Sequence, residues 1–222
     1  MYEREDLEEF CGRYSALYTG AIADVLDDLG YRRTVLPTDI RPLVQGTTLA
    51  GPAFTVRGRA IYGESAVDPR YKQMDMLESI PPNSVVLFDA GGETASAHWG
   101  ELMSAVARGQ GARGAIVNGG LRDTRQIRSA GFPVFGRFQS PYTAVWRFEI
   151  TDFQMPLTLN GVTVQPGDML LGDDDGIVSV PQKVADEVLV EAETIAVKER
   201  TVYEELSRGG SIRSLFEEYQ VF

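Results

Sequence analysis

The chain has 222 residues and carries 32 acidic against 21 basic side chains, a formal charge of −11; that length can bury a core without staples, and the acidity argues against sequence-independent nucleic-acid binding, which needs clustered Lys and Arg. A single cysteine, Cys11, rules out an internal disulfide and fits a reducing cytoplasm, and a single histidine, His98, argues against Cys/His zinc, so a metal is expected to be a hard cation held by oxygen. The opening MYEREDLEEF is too acidic for a signal peptide, and no apolar run of about 18 residues is present, so no membrane span is expected.

Leu7, Phe10, Cys11, Tyr14 and Leu17 recur at helical spacing, which predicts an amphipathic helix over 4–18. Thr19 is placed to cap a second helix with Ile22, Val25, Leu26 and Leu29 on one face and Gly30 as its stop. After a loop holding Pro37 and Pro42, LAGPAFTVRGRAIYG (49–63) reads as one or two β segments, with Pro52 near a strand start or edge. Residues 69–79 have a helical pattern that PPNS breaks. VVLFDAGG (85–92) is a short buried strand ending in Asp89 and a Gly-Gly turn, and GAIVNGG (114–120) repeats that layout, with a helix over 101–109 between them. Such alternation is the βαβ pattern of parallel strands.

Beyond Pro133 short strands and turns dominate, with Asn160-Gly161 as a hairpin turn. GDDDG (172–176) lacks the later glutamate of a calcium loop and reads as a turn between two strands. Residues 183–207 form a long helix pattern with Val184, Val188, Ile195 and Val202 on one side; Gly209-Gly210 ends it before a short amphipathic tail. No linker, repeat or low-complexity segment interrupts the chain. The expectation is one mixed α/β domain over 1–222 with helical flanks at about 4–30 and 183–222.

One stretch concentrates chemistry: WGELMSAVARGQGARGAIVNGGLRD (99–123). Ligands of open α/β sheets gather beyond the C-terminal ends of parallel strands. Gly100 opens a helix whose first N–H groups, on Glu101, Leu102 and Met103, form an anion site that a glycine lets a ligand approach closely. Arg122 offers a planar fork for a carboxylate, and Asp123 is an oxygen ligand for Mg²⁺ or Mn²⁺. The set suits a small 2-oxo acid, with its carboxylate on the helix start and Arg122 and its keto oxygen on the metal. The same residues also fit plainer roles: Arg122-Asp123 as a cap and surface charge, Glu101 as a complement to the helix dipole, His98 as a packed residue.

GGETASAHWGELMSAVARGQGARGAIVNGGLRD, AGPAFTVRG, FPVFGRF and VTVQPGDMLLGDDDGIVSVP, with the helix containing AVKER, resemble the RraA-like family over about residues 15–207. That family includes class II pyruvate aldolases, metal-dependent lyases that split 4-hydroxy-4-methyl-2-oxoglutarate and 4-carboxy-4-hydroxy-2-oxoadipate. The resemblance implies a three-layer β/β/α swivelling-type fold, a homotrimer or dimer of trimers, and a pyruvate-forming lyase with possible oxaloacetate decarboxylase activity. It assigns the divalent metal to Asp123, substrate binding and enolate stabilisation to Arg122, and the cradling of the pyruvyl carboxylate to Gly100–Met103. The aldolase signature is an aspartate, twenty residues, then Arg-Asp; here Glu101 stands at the aspartate's place, for positioning of a catalytic water. Glu199 is expected to approach the site from a neighbouring subunit. The resemblance also implies a rival: founding members bind and inhibit a ribonuclease without catalysis.

Overall fold

The structure is a computed structural model that describes residues 5–62 and 68–221. Helices α1 (Leu7–Ser15) and α2 (Thr19–Asp28) precede the short strand β1 (Arg41–Pro42) and the long β2 (Leu49–Ala60). Then follow α3 (Arg70–Glu78), β3 (Val85–Asp89), β4 (Ala97–Trp99), α4 (Glu101–Gly109), β5 (Gly114–Leu121), α5 (Thr124–Ala130), β6 (Val134–Gln139) and β7 (Phe148–Phe153). The hairpin β8 (Leu157–Leu159) and β9 (Val162–Val164), then β10 (Met169–Gly172) and β11 (Ile177–Val180), lead to α6 (Ala185–Ser207) and α7 (Ile212–Tyr219).

The main sheet runs β1-β6-β5-β3-β2-β10-β11, with β4 added beside β5 and β7 beside β2. Strands β2, β3, β5 and β6 are parallel neighbours, and β10 and β11 join antiparallel. Val85–Phe88 and Ala115–Val117 are buried, as continuous apolar runs in strands covered on both faces should be. Helices α3, α4 and α5 cover one face through Met76, Ala107 and Ile127. The β8–β9 hairpin covers the other through Leu157, Leu159, Val162 and Val164. Helix, main sheet and small sheet form the expected β/β/α layers, and α1, α2 and α6 pack together on the β10–β11 end.

Several local expectations need correction. β2 is one uninterrupted strand, and Pro52 lies inside it. Ala53 N–H donates to Asp168 O on the β10 side, so the N–H that Pro52 lacks would face the side where β3 has not yet begun to pair. Gly119-Gly120 is not a turn but part of β5, where a Cβ would lie 2.6 Å from His98 Nδ1 and 2.5 Å from Ser96 O respectively. The first pair, Gly91-Gly92, is the turn expected, with φ of +60° and +82°. Leu29 is exposed rather than part of the buried face of α2. The long C-terminal helix starts at Ala185 after a 3₁₀ turn over Gln182–Val184, where the Asp168 carboxylate accepts the Gln182 N–H, and Val184 is only half-buried. Strand β4 and helix α5 are additional elements with no counterpart among the predicted segments. Arg4, Gly63 and Phe222, at the ends of predicted segments, lie outside the described residues.

The GDDDG loop is a turn between β10 and β11, and it also does the capping assigned above to Thr19. The carboxylate of Asp173 accepts both the N–H and the hydroxyl of Thr19 at 2.8 Å, and the N–H groups of Asp175 and Gly176. It sits at the positive end of α2 from 154 residues away in sequence. Asp173→Ala is therefore expected to destabilise the fold by roughly 1–2 kcal/mol, the upper half of the range for a lost N-terminal cap. Urea unfolding should show a lower midpoint at unchanged slope; an unchanged midpoint would show that water satisfies the start of α2 equally well.

Candidate active site

The two halves of the 99–123 stretch meet because β4 takes over the edge of β5 where β3 stops. β3 pairs with β5 as far as Asn118, and β4 pairs with it in parallel at Gly120 and Leu121. Gly100 and Arg122 therefore emerge side by side, tied by Arg122 N–H donating to Trp99 O at 3.0 Å. A Cβ on Gly100 would lie 2.8 Å from Asp123 Oδ2 and 3.2 Å from Arg122 Cγ. Its φ of −147° is ordinary, so the glycine is required by close approach and not by backbone conformation.

Asp123 stands at the start of α5 in the left-handed region, φ 53° and ψ 32°, which Asp tolerates better than most residues. Its side chain does not cap α5. It turns back to α4, where Oδ2 accepts the Glu101 N–H at 3.3 Å and lies 3.4 Å from Arg122 Nε. The Glu101 N–H is thus engaged and not free as expected. Arg122 is partly exposed, and its two terminal Nη groups make no hydrogen bond to another described residue. The guanidinium fork is available to a ligand.

Gly100, Leu102, Met103, Arg122 and Asp123 line one cavity of about 240 Å³. Phe88, Trp99, Phe148 and Ile150 form its apolar wall, and Arg70, Gln73 and Thr143 also line it. Glu101 is exposed, and its side chain is not part of this lining. Glu199 lies elsewhere, half-buried on α6, where it accepts a hydrogen bond from Tyr18 Oη. Within one chain the fold brings together every predicted residue except these two side chains.

His98 is packed. Its Nδ1 accepts the Gly120 N–H at 3.0 Å, which places the proton of the neutral ring on Nε2. Nε2 lies 2.8 Å from Glu93 Oε2, with the oxygen off the N–H axis. Burial holds the imidazole below its ordinary pKa against the opposing pull of Glu93. Burial alone would raise Glu93, but hydrogen bonds from the Ser96 hydroxyl and the Ala95 and Ser96 N–H groups outweigh it and hold the carboxyl low. A neutral ring thus bridges β4 to β5 two residues before Gly100 and Arg122, where the halves of the site begin. Local sequence marked neither this bridge nor the cavity wall, since Phe148 and Ile150 come from β7, far along the chain.

The residues suit a hard dication. Among the described residues no group of three or more His, Cys, Asp and Glu is gathered. Mg²⁺, however, commonly keeps several waters and binds through one or two carboxylates plus substrate oxygens. Asp123 is such a carboxylate, and its oxygen faces the space that a Cβ on Gly100 would fill.

Comparison with known proteins gives the family. DlpA of Legionella pneumophila is 29% identical over 198 residues, 89% of this chain and 32% of that protein, so the chain spans about a third of that relative's length. A Halalkalibacterium halodurans protein named "Putative 4-hydroxy-4-methyl-2-oxoglutarate aldolase" is 29% identical over 184 residues, 83% of this chain and 82% of its own. A crystal structure described as being of "novel cellulases from microbes associated with the gut ecosystem" superposes with a TM-score of 0.84 at 35% identity, covering 90% of this chain and 89% of that one. RraAS2 of Streptomyces coelicolor, described as an unusual member of the RNase ES inhibitor RraA protein family, superposes with a TM-score of 0.76 at 26% identity, covering 94% and 99%. The RraA-like family model, Aldolase/RraA, matches residues 19–179, through both halves of the site, and the chain belongs to that family.

Proposed function

We propose that the protein is a divalent-metal-dependent lyase that cleaves a 4-hydroxy-2-oxo acid to pyruvate and a second carbonyl compound, with oxaloacetate decarboxylation as a related activity. The observation that carries this reading is the convergence of Gly100, the start of α4, Arg122 and Asp123 at one end of the parallel strands, on one cavity. Asp123 is the residue to hold Mg²⁺ or Mn²⁺, which when bound supplies Lewis acidity toward the 2-oxo group.

The chain's own groups do the rest. The N–H groups of Leu102 and Met103 at the helix start and the Arg122 fork receive the pyruvyl carboxylate. Arg122 also holds fixed positive charge where the enolate develops as C3–C4 breaks. Glu101, next to Gly100 in the chain, positions the water that accepts the C4 hydroxyl proton. The active unit in this reading is a homotrimer or a dimer of trimers, in which Glu199 reaches a neighbouring subunit's site. Small 2-oxo acids are the ligands, with neither nucleic acid nor membrane as a partner; among the described residues no helix is long and apolar enough to cross a membrane. The rival reading, ribonuclease inhibition without catalysis, draws on the likeness to RraAS2 and on the exposed Val197, Tyr203 and Phe216 of α6 and α7, a surface available to a protein partner.

A pyruvate-release assay separates the two. Release from 4-hydroxy-2-oxo acids should need Mg²⁺ or Mn²⁺, stop with chelator, and vanish in Asp123→Ala with unchanged circular dichroism. Full turnover in that variant would remove the metal assignment. Arg122→Lys keeps the charge and loses the fork, so kcat/KM should fall at least about tenfold, roughly 1.4 kcal/mol; wild-type kinetics would make Arg122 a structural residue. Glu101→Gln should abolish most aldol cleavage and spare oxaloacetate decarboxylation, which removes no hydroxyl proton. Equal loss of both activities would show that Glu101 acts on the shape of the site and not on the proton.

A further inference from the structure

We infer that the cavity beside Arg122 receives an apolar C4 substituent, so that the substrate is a monocarboxylic 4-hydroxy-2-oxo acid bearing an alkyl or aryl group. This rests on the lyase reading for the pyruvyl end and on the cavity wall for the other. Cleavage then proceeds with the C4 hydroxyl giving up its proton and the C3–C4 electron pair passing to the pyruvate enolate. C3 takes up a proton, and an uncharged aldehyde or ketone leaves.

Part of the cavity wall is the protein core. Phe88, Trp99, Met103, Phe148 and Ile150 line it and belong to the cluster buried between the sheet and the helices. The rings of Phe88 and Phe148 lie 5.7 Å apart, inclined at 35°, and give the wall an aromatic corner. A second carboxylate placed there would lose its water and need a cation in return, and among the described residues of one chain the wall has none to spare. Arg122 serves the pyruvyl carboxylate. Arg70 is held by Asp68, with Nε 2.9 Å from each carboxylate oxygen and Nη2 also engaged, so an incoming anion would meet the Asp68 charge too. His98 has Nδ1 occupied by Gly120 N–H and the negative Glu93 against its other nitrogen. Gln73 donates to Met103 Sδ at 2.9 Å.

An isosteric substrate pair tests this on the purified full-length protein with Mg²⁺. 4-Hydroxy-6-methyl-2-oxoheptanoate carries an isobutyl group where 4-hydroxy-2-oxoadipate carries a carboxymethyl group. Pyruvate release should favour the first in kcat/KM by at least about tenfold, within the range an apolar pocket commands. Equal or reversed preference overturns the inference and leaves the lyase reading standing. Binding gives a readout independent of turnover: quenching of tryptophan fluorescence by 6-methyl-2-oxoheptanoate and by 2-oxoadipate should show the same order of affinity. If neither substrate nor oxaloacetate yields pyruvate, the lyase reading falls, and the binding order alone then decides whether the cavity selects an apolar tail. Val145→Arg, at a half-buried wall position, should narrow or reverse the preference; an unchanged ratio would show that the tail does not enter this cavity.

Discussion

The parallel pairing of β4 with β5 is the constraint on which the candidate site depends. Three residues of β4 fill the place beside β5 that β3 vacates at Asp89, and this sets the start of α4 against the Arg122-Asp123 pair. Several contacts hold the arrangement. Trp99 accepts the Arg122 N–H through its carbonyl and donates its indole N–H to Ser104 Oγ, whose hydroxyl in turn reaches Gly100 O. His98 accepts the Gly120 N–H from within the core. The network joins two helix starts through one short strand, with His98 Nε2 set beside the Glu93 carboxylate but without an aligned hydrogen bond to it.

Close approach then decides residue identity. Gly100, Gly119 and Gly120 each stand where a Cβ would collide with a neighbour, and those neighbours are Asp123, His98 and Ser96. None of the three needs a positive φ. Gly100 lets the Asp123 carboxylate and the Arg122 side chain lie close to the start of α4, while Gly119 and Gly120 let His98 and Ser96 of the neighbouring segment approach β5. The αL backbone of Asp123 follows from the same demand, since it turns the side chain away from its own helix and toward its neighbour.

Charge is divided along the same lines. The chain is strongly acidic overall, yet its acidic loops are consumed by structure: Asp173 caps α2, Asp174 accepts the Gly46 N–H, and Arg41 donates to the carbonyls of Asp174 and Asp175. Positive charge at the cavity is correspondingly local, an arginine fork aided by the N-terminus of α4. The chain belongs to the RraA-like family. The family also contains ribonuclease inhibitors, so the chemistry of this chain is argued from the residues that line its own cavity.

Much of the fold was legible in the sequence. The apolar runs of β3 and β5, the periodicity of α1, α2, α4 and α6 and the Asn160-Gly161 hairpin are local signals, fixed by side-chain period and turn preference, and 99–123 is legible as a candidate site from its residue types. The resemblance to a family added the layer order, which no periodicity carries. What only the tertiary structure decided are the contacts between distant segments. The cap of α2 comes from Asp173, Pro52 is tolerated because β3 starts one residue later, Gly119-Gly120 is strand rather than turn because β4 and β6 flank it, and the cavity wall is completed by Phe148 and Ile150. These depend on which backbone groups and side chains lie opposite one another after folding, and local propensity carries no record of a partner that distant.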